Sequence, residues 1–121
     1  AVLEKRVGMK MFQKDVFLNF AGGFRVADTG LDLSIVAAVI SSYYDRAILN
    51  GVCCAGEVGL SGEVRPASRT EQRITEAARL GFRRIIVSGF LRKGFKAPRG
   101  IEVVYINNIG ELPRALFCEE I

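Results

Sequence analysis

Hydrophobic and polar positions change period several times along this chain, and each change marks an element. Residues 1–7 place Ala1, Val2, Leu3 and Val7 around the charged trio Glu4, Lys5 and Arg6, the pattern of a helix end stopped at Gly8. Residues 15–21 alternate, with Val16, Leu18 and Phe20 set against Asp15, Phe17 and Asn19, which predicts a strand with one strongly apolar face, closed by Gly22 and Gly23. Residues 31–44 are apolar at 31, 33 and 35–40. A stretch so long and so apolar nearly all round predicts a buried helix rather than a strand, entered through the turn Asp28-Thr29-Gly30 with Asp28 as its cap and ended by Asp45-Arg46.

The next strand covers residues 52–58. It runs into residues 56–66, GEVGLSGEVRP, where two short apolar strands hinge at Leu60-Ser61-Gly62 and each carries one carboxylate, Glu57 or Glu63, at the same point of its repeat. That reads as a hairpin or a strand-bulge-strand feeding a proline stop. A helix follows from about Thr70, with Ser68 or Thr70 available to cap it and Glu71 in its first turn, where the helix dipole favours an anion. Ile74, Ala77, Ala78 and Leu80 share one side of it, and Gly81 ends it. Residues 84–87, RIIV, predict a short buried strand, residues 90–100 a basic loop, residues 101–106 another strand, and residues 109–117 a last helix with Pro113 early in it. The order strand, helix, hairpin, helix, strand, strand, helix predicts a single α/β domain over residues 1–121, with a mixed sheet and packed helices.

Composition narrows the classes. The 121 residues are half apolar and a quarter charged, with 13 glycines and 3 prolines, as in a globular domain. No apolar run approaches the roughly 18 residues that span a bilayer, so no membrane partner is expected. The start has neither an apolar signal region nor an initiator methionine, so the chain reads as a fragment of a longer protein, which the cysteine content marks as a cytoplasmic one. Three cysteines, Cys53, Cys54 and Cys118, have no metal-ligand spacing, and histidine is absent. They read as reduced, buried thiols, with no metal site. No phosphate loop or dinucleotide fingerprint occurs.

Charge changes the picture more. Residues 65–99 hold ten basic side chains against Glu71 and Glu76 alone. Arg65, Arg69 and Arg73 are four apart, and the latter two would share a helix face. Arg92, Lys93, Lys96 and Arg99 punctuate a loop that also holds Phe90 and Phe95, a basic and aromatic mixture suited to a nucleic-acid backbone and exposed bases. Arg65, Arg69, Arg73, Arg92, Lys93 and Lys96 are the candidate nucleic-acid contacts, weighed against a plain solvated basic face. Glu57 and Glu63 could face a shared site or pair with arginines across the sheet.

AVLEKRVG, DVFLNFAGGFRV, the apolar helix ending SSYYDR, and GEVGLSGEVRPASRTEQRITEAARLGFRRIIV together resemble the C-terminal Lon protease-like domain of the RadA (Sms) family of bacterial DNA-repair proteins. The resemblance covers nearly the whole chain, and GEVGLSGEVRP followed by EQR and EAARLGF is its most specific part. It implies the fold shared by Lon proteolytic domains and the second domain of ribosomal protein S5. It also implies a ring-forming homo-oligomer, hexameric in the complete protein, and DNA, single-stranded, as partner. Zinc and ATP would belong to a zinc finger and a RecA-like ATPase outside this sequence, leaving this domain without a cofactor.

Lon-type peptidases use a serine nucleophile and a neutral lysine base. The resemblance lays those positions on Gly30 and Glu71, and neither side chain can do that work. The five lysines stand at 5, 10, 14, 93 and 96. A relocated dyad would have to recruit Lys93 or Lys96 with Ser34, Ser41, Ser42, Ser61, Ser68 or Ser88, and a loop lysine among basic neighbours lacks the burial a general base requires. The sequence therefore points to a non-catalytic Lon-like domain that scaffolds a ring and offers a basic surface to DNA. An active serine peptidase with a relocated dyad and a pure oligomerisation module are the alternatives.

Overall fold

A computed structural model describes residues 29–90 and 95–120, so the predicted helix end at 1–7, the strand at 15–21 and the Asp28 cap lie outside the described residues. A 3-10 turn, Thr29–Leu31, opens onto helix α1 (Asp32–Tyr44). Leu33, Val36, Ala37 and Ile40 are buried at helical spacing while Ala38 is exposed, so the nearly all-apolar stretch buries one stripe and its flanks. Asp45 ends the helix in the left-handed region, its backbone N–H donating to the carbonyls of Ser41 and Ser42.

The remaining elements are β1 (Val52–Cys54), β2 (Glu57–Val58), β3 (Val64–Arg65), helix α2 (Thr70–Arg79), β4 (Arg84–Ser88), β5 (Glu102–Ile106), a 3-10 turn at Ile109–Glu111, and helix α3 (Leu112–Phe117). β1, β4 and β5 form a parallel sheet with β4 in the centre, which is why every residue of β4 is buried. The register sets Cys53 beside Ile85 and Ile85 beside Val103, with Cys54, Ile86 and Val104 aligned one residue on. Alternation then divides the core. Ile85, Val87 and Val103 pack with Ile74 and Ala77 of α2, while Ile86, Val104 and Ile106 pack with α1, α3 and the β2–β3 hairpin. Each fully buried Leu or Ile contributes on the order of 2 kcal/mol.

Two expectations need correction. The single strand predicted over residues 52–58 is broken at Ala55-Gly56. Ala55 still bonds to the carbonyl of Ile86 at 3.0 Å, but the Gly56 N–H turns to the carbonyl of Gly30 at 3.0 Å, and the Gly56 carbonyl accepts from Leu33 at 3.1 Å. A side chain at Gly56 would meet Leu33 and Val64 at 3.3 Å, so glycine allows the close approach that diverts the strand towards the start of α1. The α/β architecture holds, but among the described residues the strands form two sheets, one parallel and one antiparallel, in place of a single mixed sheet.

The hairpin itself forms as predicted, with Glu57 opposite Arg65 and Val58 opposite Val64. It is fastened to the parallel sheet at the ends of β4 and β5. The Val64 N–H donates to the Asn107 carbonyl at 2.9 Å, Ile109 donates to the Gly62 carbonyl at 2.9 Å, and the buried Ser88 hydroxyl donates to the Val64 carbonyl at 2.9 Å.

Candidate functional site

The chain leaves β3 through Pro66, Ala67, Ser68 and Arg69 and enters α2. Neither Ser68 nor Thr70 caps that helix, contrary to expectation. Arg69 occupies the N-cap position in the left-handed region at φ 56°, where its side chain supplies no cap bond, and the Thr70 hydroxyl turns back to donate to the Ala67 carbonyl at 2.6 Å. A non-glycine residue in that region carries a local cost, held here by the surrounding turn. The chain's bend opens a shallow groove of about 630 Å³ lined by the buried Ala67 and Thr70, by Pro66, and by the exposed Arg69, Glu71, Gln72 and Phe90.

The basic stretch that looked uniform in sequence is divided by its partners. Arg65 sits 2.8 Å from Glu63, Arg79 pairs with Glu76 one turn back, and Arg83 lies 3.8 Å from Glu119. Arg73 is half-buried and donates from Nε to the Ser68 carbonyl at 2.9 Å, so it does not share an open face with Arg69. Arg69, Lys96 and Arg99 are exposed and have no ion-pair partner among the described residues. Arg92 and Lys93 lie outside the described residues. The two loop aromatics part company as well: Phe90 is 69% exposed, whereas Phe95 packs against the cluster of Ile74, Ile85, Val87 and Ile101.

The carboxylates of the hairpin act within it. Glu63 accepts the Ser61 N–H at 3.1 Å and Arg65 at 2.8 Å, and its carboxyl is held below the usual carboxylate range by its own backbone N–H first and then by the nearby Arg65 guanidinium. Glu57 stands opposite Arg65 in the ladder. Burial pushes the Cys53 thiol up to about 11 and the Cys54 thiol up to about 12, with Cys53 itself adding to the latter. Such thiols are poor nucleophiles and poor ligands. Among the described residues no three of His, Cys, Asp or Glu group as a metal site, and no helix is long and apolar enough to cross a membrane.

Gly30 is buried in the opening 3-10 turn, and Glu71 is exposed in the first turn of α2, on the groove. The serines that a relocated dyad would use fall into two groups, engaged and exposed. Ser34 donates to the Cys54 carbonyl at 2.9 Å, Ser41 to the Arg46 carbonyl, and Ser88 is fully buried between Val64 and Phe90, while Ser42, Ser61 and Ser68 are exposed.

One residue escaped the sequence reading. Arg84, the first residue of β4, is 5% exposed; its guanidinium donates to Glu102 and to the carbonyls of Ala115, Cys118 and Glu119 at and just beyond the end of α3. A charged residue inside an apolar strand was the available signal, since a buried arginine requires this density of partners.

The family model described as subunit ChlI of Mg-chelatase matches residues 1–89. Curated relatives named DNA repair protein RadA are similar along nearly the whole chain. The relative from Bacillus subtilis (strain 168) is 46% identical over 114 residues, covering 94% of this chain and 25% of the relative. That from Listeria monocytogenes serovar 1/2a is 43% identical over 117 residues, covering 96% and 26%. That from Streptococcus pneumoniae is 40% identical over 118 residues, covering 98% and 28%. The chain thus spans about a quarter of the length of the curated relatives it matches.

Proposed function

The chain belongs to the family whose model is described as subunit ChlI of Mg-chelatase, with RadA relatives along its length, and from that premise we propose that it is a non-catalytic Lon-like domain of a DNA-repair protein. In this reading it helps to build a homo-oligomeric ring, hexameric in the complete cytoplasmic protein, and turns a basic surface to single-stranded DNA. ATP and zinc chemistry belong to other parts of that protein. The observation that carries the reading is the groove at the start of α2: its exposed rim joins a cation, Arg69, to an aromatic ring, Phe90, and carries Glu71 where a peptidase of the resembled kind needs a lysine. The position matching that peptidase's nucleophile is Gly30, which has no hydroxyl for any base to activate.

Phosphate contacts release counterions, so binding should weaken steeply with salt and show little sequence preference. Fluorescence anisotropy of a labelled single-stranded oligonucleotide across a salt series tests this. R69A combined with K96A and R99A should weaken binding and lower the salt slope by about two, at roughly 0.7 per lost contact on a single strand. Unchanged affinity and slope in that triple variant would reduce the basic surface to a solubilising one.

A further inference from the structure

Phe90 is the most exposed large hydrophobic residue among those described, at 69%, while Phe82 and Phe95 pack into one core cluster and Phe117 into the other. Its backbone is nonetheless fixed. The Phe90 N–H donates to the Ser88 hydroxyl at 3.2 Å, Gly89 donates to the Ile106 carbonyl at 2.9 Å, and a side chain at Gly89 would collide with Asn107 at 2.3 Å. The aromatic ring is therefore carried into water on the anchored end of the central strand, beside the groove. An unsupported exposed phenylalanine is a liability, and one at the lip of a groove of mixed apolar and polar lining has the attributes of a stacking platform.

We propose that Phe90 and this groove form a seat for one unpaired nucleobase of a single strand, with the base stacked on Phe90 and the neighbouring phosphate taken by Arg69. The inference rests on the preceding reading that this surface meets DNA. The groove's volume of about 630 Å³ suits a single base with its sugar, within the ~300–1,000 Å³ of small-ligand sites. Its charges are mixed in a way that suits a nucleotide better than a bare phosphate track. Glu71 repels phosphate but accepts from a base amino group, and Gln72 offers both a donor and an acceptor for a base edge. A duplex keeps its bases stacked and paired and cannot offer one to Phe90 without paying for extrusion.

The sequence holds no tryptophan, so F90W installs a unique fluorophore at the seat. The position is exposed, and circular dichroism should show F90W and F90A folded as the parent. An oligonucleotide of about 16 deoxycytidines should quench the F90W indole saturably, a blunt duplex should not, and F90A should bind the single strand roughly tenfold more weakly in anisotropy while F90Y binds as the parent does. Binding of the single strand with an unquenched F90W indole and an unaffected F90A would overturn the base seat while leaving DNA contact elsewhere on the surface. Equal quenching by the duplex would overturn its selectivity for an unpaired base. No binding of the oligonucleotide by the parent chain would overturn both this inference and the reading it rests on.

Discussion

Arg84→Met is the most informative single perturbation of this fold. Methionine keeps the apolar stem against the sheet and removes only the guanidinium, so the loss is that of the polar contacts. Four donor contacts disappear, to Glu102, Ala115, Cys118 and Glu119. They are unequal. The Glu102 side chain is 51% exposed and rehydrates, so that ion pair contributes on the order of 1 kcal/mol or less. The Ala115 carbonyl is bonded in a buried setting at 2.9 Å, and leaving it unsatisfied costs about 1–3 kcal/mol. The carbonyls of Cys118 and Glu119 are partly buried and recover some water. The sum is about 3 kcal/mol, in line with the loss of one partner from a buried charge site.

For 121 residues the unfolding entropy is about 0.25 kcal/mol/K, so Tm should fall by roughly 12 °C. Thermal unfolding followed by circular dichroism checks it, with two controls. Arg84→Lys keeps the charge but cannot fork to diverging acceptors, so it should recover less than half of the loss. Glu102→Gln should cost no more than a few degrees. A methionine variant within about 4 °C of the parent, or full rescue by lysine, would refute the view that the fork to the α3 carbonyls holds that end of the molecule.

Two further outcomes follow from close packing and burial. A side chain at Gly59 would fall 1.6 Å from the Glu63 carboxylate, so Gly59→Ala should displace that group from Ser61 and Arg65 and lower Tm, and the effect should vanish in a Glu63→Ala background when the four-member cycle is melted. With Cys118→Ser removing the third thiol, the half-buried Cys53 and Cys54 should resist a disulfide reagent at pH 8 until denaturant is added, because their thiols are held near 11 and 12; rapid labelling of the folded chain would contradict that upward shift.

What the sequence made legible follows from periodicity. The helix from Thr70 shows the helical period, RIIV the short continuous run of a buried strand and residues 56–66 a repeated strand motif, and each forms. The misreadings lie where a distant residue decides. Nothing local announces that Gly56 must turn towards Gly30 and Leu33, so residues 52–58 read as one strand. Ser68 and Thr70 have capping chemistry, yet the backbone at Arg69 takes the left-handed turn and the Thr70 hydroxyl is spent on Ala67. In the candidate site, spacing put Arg69 and Arg73 on one face, but Arg69 precedes the helix and Arg73 is tied to Ser68. Phe90 and Phe95 look equivalent as letters; only the core they flank separates a platform from an anchor. Arg84 stands out as a charge in an apolar strand, but its backbone acceptors, 31–35 residues away along the chain, do not.

The hydroxyl of Ser88 serves two masters. It gives its proton to Val64 in the hairpin and accepts one from Phe90 beyond the central strand, while its own side chain is fully buried. A small displacement of the hairpin that admits no water would leave the hydroxyl and the Val64 carbonyl unpaired together, a penalty that comes before any chain entropy is recovered. Opening of the hairpin and loosening of the Phe90 turn are thereby linked steps of one cooperative unit. The smallest buried polar side chain thus ties the antiparallel hairpin to the parallel sheet.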